Sequence, residues 1–140
     1  MTKTLAILVA RLLFGGTFLL ATAMKFADMG ATAGYIASIS FPLPLLFAWV
    51  AAFFELGLAL AFFTGAFYSE AATLAVIYVL FLTFAFHGPS RWEGNPMEFG
   101  FFVNHFTFIA GLLVAAVHGP GTRFVLGWRF DGRRLHLRHS

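Results

Sequence analysis

The chain contains no cysteine, and charged residues make up only 11% of its 140 residues. The absence of cysteine excludes disulfides, thiolate metal sites, iron–sulfur ligation and any cysteine-based redox relay on this chain. A soluble domain carries about 25% charged residues, so the low charge argues against that class. Hydrophobic residues make up 60% of the sequence, and 20 residues are phenylalanine. The composition therefore indicates an integral membrane protein.

Four stretches of the sequence are long and apolar enough to form membrane-spanning helices. They are predicted at residues 5–24, 45–63, 71–86 and 99–117, with a short interfacial helix at 31–40. Pro42 and Pro44 separate that short helix from the second span, because a helix cannot continue through them. The predicted fold class is all-α, an integral membrane four-helix bundle that forms one domain over residues 1–121.

The remaining residues, 122–140, form a basic tail with five arginines and one acidic residue, Asp131. Basic tails also occur in nucleic-acid-binding proteins, but in a chain that is mostly membrane-embedded we interpret the tail as a topology signal. An even number of spans places both termini on one side of the membrane, and the positive-inside rule makes that side cytoplasmic. We therefore expect cytoplasmic termini and no nucleic-acid partner.

The first span places its polar and small residues on one face. At the spacing of an α-helix, this face is formed by Arg11, Gly15, Phe18, Thr22 and Lys25. Because cations avoid lipid, the face is predicted to point into the protein.

The second span carries one ionisable residue, Glu55, near its centre. A helix of about 19 residues is about 28 Å long, so Glu55 lies near mid-membrane, where a lone carboxylate costs about 2.5 to 3.5 kcal/mol on insertion scales. Arg11 lies about 9 Å and Glu55 about 12 Å from the same membrane surface. These depths predict a structural ion pair between Arg11 and Glu55. Two roles stay open for it: a clamp between helices, or a site at which Glu55 is the candidate proton acceptor.

A second group of polar residues is expected at the opposite ends of the spans. Lys25 ends the first span, His87 ends the third, and Asn104 and His105 lie one to two turns inside the fourth. They are predicted to line a periplasm-facing ligand pocket with a quinone head group as its ligand. Adjacent helical residues diverge by about 100°, so only one of Asn104 and His105 points inward. Asn104, which lies in a stripe of small residues, is the predicted one, with His105 at the edge.

The histidines also raise the question of haem or metal binding. His87 ends its helix, whereas His105 lies about 9 Å inside the next, so their depths do not match for bis-histidine haem ligation. No span contains histidines or carboxylates four residues apart, a spacing that suits metal binding on one helix face. No metal site is predicted.

Taken together, these residues resemble those of the DoxX/DoxD-like family of bacterial four-helix membrane proteins. The resemblance covers about residues 10–121. It is carried by Arg11, Gly15-Gly16, Phe18, Lys25, Pro42, Pro44, Glu55-Leu56, Gly65, His87, Trp92, Asn95, Asn104, Gly111-Leu112-Leu113 and Gly119. The family often has Lys-Asn at the start of the fourth span, where this chain has Val103 before Asn104. That departure removes a cation from the expected pocket.

The resemblance implies a multi-pass protein of the bacterial inner membrane. The activity named for the family, electron transfer from thiosulfate to quinone, belongs to DoxD together with a partner protein. The favoured function for this chain is a small accessory subunit whose Phe-rich faces pack on partner membrane proteins, lipids or pigments. The alternative is the membrane subunit of a quinone-linked oxidoreductase, with quinone as a possible cofactor in the pocket described above. Whether the chain turns over a substrate itself, and its oligomeric state, stay open.

Overall fold

The computed structural model describes residues 2–126, and they are mostly helical. In chain order the helices are α1 (Lys3–Ala27), α2 (Met29–Ala37), α3 (Pro44–Thr64), α4 (Tyr68–His87) and α5 (Pro96–His118), with a single 3-10 turn at Pro89–Arg91. All but α2 are long and apolar enough to cross a membrane. The predicted all-α class and the four spans are confirmed, and each predicted span end agrees within three residues. The side on which the termini lie stays a prediction.

Local sequence signals explain where the helices begin and end. Asp28 begins α2, where its side chain accepts a hydrogen bond of 2.8 Å from the backbone N–H of Ala31. Pro44 occupies the first turn of α3, a position where the missing N–H costs nothing. Gly65 ends the same helix with a φ of 74°, in the left-handed region that glycine adopts without steric cost.

The structure divides into two compact units. The first comprises residues 2–68 together with 120–126, and the second comprises 69–119. The predicted boundary between a membrane domain at 1–121 and a tail at 122–140 stays a prediction, because residues 127–140 lie outside the described part of the chain.

In the first unit, α1 and α3 pack side by side and run in opposite directions. Arg11 near the start of α1 contacts Phe62 near the end of α3, whereas Phe26 at the end of α1 contacts Trp49 near the start of α3. The buried residues of α1 are Arg11, Gly15, Phe18 and Thr22. The inward face predicted for the first span is therefore confirmed at these four positions.

At Gly15, α1 packs closely against the side chain of Phe63 in α3. A Cβ atom added there would lie 2.8 Å from the ring of Phe63, whereas one added at the adjacent Gly16 would meet nothing within 4 Å. Small residues are typical of such contacts, because they let helix backbones approach closely.

Replacing Gly15 by leucine should therefore destabilise the protein by about 1–3 kcal/mol, because the added side chain overpacks the contact with Phe63. Gly16→Leu is the matched control and should leave the melting temperature of the detergent-solubilised protein nearly unchanged. Equal melting temperatures for the two variants would show that the helices do not approach each other at Gly15.

In the second unit, aromatic side chains join α4 to α5. The ring of Phe84 lies 5.5 Å from that of Phe102 and 6.2 Å from that of Phe106, both in edge-to-face geometry. Trp92, from the connection between the two helices, lies 5.0 Å from Phe102. The buried residues of α5 are Ile109, Leu112 and Ala115. This packing fixes the ends of α4 and α5 that carry the histidines.

Candidate functional site

Arg11 is the most completely buried charged residue in the described chain, with an exposed fraction of 0%. Its Nε donates to the carbonyl oxygen of Phe62 at 3.1 Å, and its Nη2 donates to those of Phe63 at 2.8 Å and Phe124 at 2.9 Å. Its Nη1 donates to the carbonyls of Pro120 at 3.3 Å and Arg123 at 2.7 Å. The guanidinium thus uses its five N–H groups on five backbone carbonyl oxygens.

These acceptors explain why an arginine occupies this position. Phe62 and Phe63 lie in the last turn of α3, where carbonyl groups have no partner within the helix and carry the negative end of its dipole. The other three carbonyls belong to residues 120–126, which Leu126 also ties to α3 by donating its N–H to Thr64 at 2.8 Å. Arg11 therefore connects the end of α3 to residues 120–126.

The cation that pairs with Glu55 is Lys25. The Nζ of Lys25 lies 2.9 Å from Oε1 and 2.8 Å from Oε2 of Glu55. The side chain of Glu55 is 3% exposed and that of Lys25 is 20% exposed. The structure thus replaces the predicted Arg11–Glu55 ion pair with a Lys25–Glu55 ion pair, and Arg11 binds backbone carbonyls instead.

Side-chain direction explains the exchange of partners. Side chains on a helix lean toward its N-terminus. Because α1 and α3 are antiparallel, Lys25 and Glu55 lean toward each other, whereas Arg11 leans toward the end of α3 and away from Glu55. The depth argument compared backbone positions only and ignored this lean, which spans roughly one helical turn for a long side chain.

A second polar cluster lies in the second unit, where α4 ends and α5 begins. His87 Nδ1 lies 2.5 Å from a carboxylate oxygen of Glu98, and His105 Nδ1 lies 3.0 Å from the hydroxyl of Thr83. The rings of His87 and His105 are 5.0 Å apart between centroids. The indole N–H of Trp92 donates to the carbonyl of His87 at 2.8 Å, which fixes the end of α4.

The hydrogen bonds of Thr83 determine the tautomer of His105. The Thr83 hydroxyl donates its only hydrogen to the carbonyl of Val79 at 2.6 Å, so towards His105 it can act only as an acceptor. Nδ1 of His105 must therefore carry the proton, and in the neutral ring Nε2 is an acceptor. The hydrogen bonds described here use Nδ1 of both His87 and His105 and do not involve the Nε2 atoms.

Thr83→Val should break this arrangement, because it leaves the partly buried Nδ1–H of His105 without its acceptor. We expect a loss of about 1–3 kcal/mol in stability, and a changed tautomer of His105 in ¹⁵N NMR spectra of the imidazole nitrogens. Thr83→Ser keeps the hydroxyl and is the matched control. A wild-type His105 spectrum in the Thr83→Val variant would contradict the assigned hydrogen bond.

The structure corrects the expected roles of Asn104 and His105. His105 faces α4 and bonds to Thr83, whereas Asn104 is exposed. Of the three buried residues of α5, Ile109 and Leu112 follow His105 at intervals of four and three residues, whereas Ala115 lies nearer to the side of Asn104. The predicted stripe through Asn104 is displaced from the line through Ile109 and Leu112 by about 100°. The choice of Asn104 as the inward residue was therefore wrong.

The other residues of the predicted pocket are His87, His105 and Lys25. The rings of His87 and His105 lie 5.0 Å apart between centroids, and their role in lining a ligand pocket stays a prediction. The convergence of Lys25 with them stays a prediction. Sequence reasoning missed Glu98 and Thr83. A signal for Glu98 existed, because His87 and Glu98 flank the short connection between α4 and α5, which brings their ends together.

Comparison with known protein families identifies the chain. A family model described as DoxX matches residues 6–88, which is more than half of the chain. The chain belongs to the DoxX family. Comparison with curated proteins and with solved structures finds no match.

The DoxX match runs from the first turn of α1 through the end of α4 and includes the two ion-pairing residues Lys25 and Glu55, but it ends at Gly88. Glu98 and His105 of the histidine cluster lie outside it. Together with the four apolar helices, the match identifies the chain as a multi-pass membrane protein. Within residues 2–126, no group of three or more histidine, cysteine or acidic side chains is arranged to hold a metal ion.

Proposed function

We propose that this DoxX protein is a small accessory subunit of the bacterial inner membrane, which packs on partner membrane proteins, lipids or pigments. The observation that supports the proposal is what the charged side chains inside the first unit contact. Arg11 binds five backbone carbonyls, and Lys25 binds both oxygens of Glu55. These groups serve the fold, which suits a structural role better than a reaction at this site.

The outer face of α3 offers a surface for such packing. Exposed residues on one side of this helix are Leu46, Val50, Phe53, Gly57 and Leu60. They recur at intervals of three and four residues and so form one stripe. A Cβ atom added at Gly57 would meet nothing within 4 Å, so the backbone of α3 is open to close approach there. Helices associate in membranes through small residues of this kind.

Phe53 also belongs to an exposed aromatic cluster with Phe26 and Trp49. The ring of Phe26 lies 5.9 Å from that of Trp49 and 5.5 Å from that of Phe53. Preformed aromatic surfaces lose little side-chain freedom when a partner binds, and aromatic residues are enriched at protein interfaces. This cluster and Gly57 together support a protein partner over lipid alone.

The test is mass spectrometry of the gently solubilised protein with everything that co-purifies. The proposal predicts larger subunits in fixed stoichiometry, which Gly57→Leu removes while the folded yield is retained. Gly16→Leu, at an equally open glycine of α1, is the matched control and should retain the partners. Partners that bind both variants equally would exclude the α3 face, and purification with lipid alone would contradict a protein partner.

The alternative function, a membrane subunit of a quinone-linked oxidoreductase, is supported by the histidine cluster. His87 and His105 offer two imidazole Nε2 atoms, which suit the carbonyl and hydroxyl groups of quinone and quinol head groups. An open apolar surface on α4 is formed by Ile77, Leu80, Phe81, Phe84 and Ala85. It ends one turn before His87 and suits an isoprenoid tail or a lipid chain. A stoichiometric quinone in the same mass spectra, lost in His105→Ala, would favour this alternative.

For the quinone alternative, Lys25 at the mouth of the pocket and Glu55 as proton acceptor stay predictions, whereas Asn104 is exposed and His105 takes the inward position. Proton uptake by Glu55 would break its ion pair with Lys25. Activity through Glu55 therefore requires that this pair opens during turnover.

A further inference from the structure

Two polar side chains lie on the exposed side of α5, well inside the span. Asn104 and Thr107 are both exposed, and they lie about 12 Å and about 17 Å along a helix of 23 residues, which is about 35 Å long. Within residues 2–126, the structure gives the Asn104 side chain no hydrogen bond. Hydrocarbon offers an amide no hydrogen-bond partner, so an amide that faces lipid is costly. Asn104 therefore points to a polar partner outside the described chain.

The residues that share this face of α5 recur with the spacing of a coiled coil. Counted from Gly100, the intervals between them alternate between four and three residues. The members of this strip, called the α5 strip below, are Gly100, Asn104, Thr107, Gly111, Val114 and His118, and none of them is buried. The alternation gives the repeat of 3.5 residues at which two helices pack side by side in a left-handed pair. The α5 strip is therefore the face along which a second helix would pack.

Two glycines of the α5 strip allow a second helix to come close to Asn104. Gly100 lies one turn before Asn104, and Gly111 lies two turns after it. A Cβ atom added at Gly100 would meet nothing within 4 Å, so the backbone is open there. Small residues at helix contacts in membranes bring the backbones together, and this brings short polar side chains within hydrogen-bonding distance. The strip thus combines room for close packing with an amide that lacks a hydrogen bond.

The chemistry of Asn104 selects a second copy of this chain as the partner. Copies of one membrane protein have the same orientation, so a two-fold axis along the membrane normal places each residue at the same depth as its counterpart. An asparagine amide has a partially positive NH2 group and a partially negative oxygen, which makes it complementary in charge to a second Asn104 amide. In coiled coils, a single asparagine in the apolar seam specifies the register and the number of helices.

We propose that two copies of this chain pair in the membrane through their α5 strips, with the two Asn104 amides hydrogen-bonded to each other at the interface. The partner is a second copy, because it alone brings the complementary amide to the same depth without any further requirement. The pairing uses a different helix from the α3 face described above. It does not depend on the accessory role or on quinone binding.

Disulfide crosslinking in native membranes tests which face of α5 pairs, because the chain has no cysteine of its own. Val114→Cys places a thiol on the α5 strip. Leu113→Cys is the matched control, because Leu113 is also exposed and lies at nearly the same depth, but points about 100° away. On oxidation with copper phenanthroline, Val114→Cys should give a product of twice the chain mass, at least about fivefold more of it than Leu113→Cys gives.

The contribution of Asn104 is measured in the Val114→Cys protein. Asn104→Leu removes the amide and should weaken pairing about tenfold, measured as the crosslinked fraction while the protein is diluted with added lipid. Asn104→Gln retains an amide and should keep most of the pairing. Because Asn104 is exposed, both variants should keep the melting temperature of the Val114→Cys protein under reducing conditions.

Three results would overturn the proposal. Equal crosslinking of Val114→Cys and Leu113→Cys would indicate random collision. Crosslinking of Val114→Cys only to a protein of another mass would show that a different partner covers the α5 strip, and no crosslinking at all would show that lipid covers it. A dimer that is as stable with Asn104→Leu as with asparagine would exclude the amide pair from the interface.

Discussion

Replacing Arg11 by leucine is expected to abolish most of the folded yield of the protein. The substitution removes all donors to five backbone carbonyls, and the guanidinium that binds them is 0% exposed. An unsatisfied buried polar group costs about 1–3 kcal/mol, so the loss of several of these hydrogen bonds should cost at least about 3 kcal/mol. Fluorescence-detected size exclusion and the melting temperature of the solubilised protein measure the effect.

Two further variants test whether the loss of yield comes from the hydrogen bonds of the Arg11 guanidinium. Arg123→Leu removes an exposed arginine side chain but keeps the carbonyl that Arg11 binds, so it should fold normally. Arg11→Lys retains the charge but offers three N–H donors without the planar fork, so it should rescue the yield only in part. Full rescue by lysine would show that charge alone matters and would contradict the hydrogen-bond geometry.

The second large effect is expected at the Lys25–Glu55 ion pair. Lys25→Met alone leaves a carboxylate that is 3% exposed without its cation, and breaking a buried pair in this way costs about 3–5 kcal/mol. Glu55→Gln alone leaves the ammonium of Lys25 without its carboxylate. Because Lys25 is less buried than Glu55, this substitution should reduce the stability by less. The double variant should be more stable than the sum of the two single effects predicts, with a coupling energy of about 0.5–3 kcal/mol.

The same cycle with Arg11→Leu and Glu55→Gln distinguishes the two possible partners of Glu55. Arg11 and Glu55 share no hydrogen-bond partner among the contacts described above, so their effects should add within about 0.5 kcal/mol. Coupling in this second cycle, together with additivity in the first, would support the Arg11–Glu55 ion pair that was predicted from the estimated membrane depths of the two residues.

The spans and their ends could be predicted from the sequence, because the signals for them are local. A run of about 20 apolar residues is sufficient to indicate a span. Pro44 marks the start of α3, because its ring fixes φ and removes the N–H donor. Gly65 marks the end of α3, because glycine adopts a positive φ without steric cost. The inward face of α1 was also predictable, because Arg11 and Lys25 are rare cations in an apolar helix and fall on the same side.

Partner choice and helix rotation could not be predicted in the same way. The depths estimated from the sequence favoured Arg11 as the partner of Glu55, whereas the lean of the side chains on antiparallel helices favours Lys25. The five carbonyls that bind Arg11 come from α3 and from residues 120–124, which are far apart in sequence. For α5, apolar residues occur on all sides, so hydrophobic periodicity could not distinguish Asn104 from His105 as the inward residue.

The most direct test of the central claim, that Lys25 is the cation bound to Glu55, is solid-state NMR of the protein in lipid bilayers. The chain contains only two lysines, Lys3 and Lys25, so ¹⁵N labelling at lysine Nζ with ¹³C labelling of glutamate carboxyl groups gives few possible pairs. With Nζ 2.8 Å from a Glu55 oxygen, the account predicts strong dipolar dephasing of one carboxyl signal, which is lost in Lys25→Met. Absence of that dephasing, with dephasing of the Glu55 carboxyl by ¹⁵N-labelled arginine side chains instead, would contradict it.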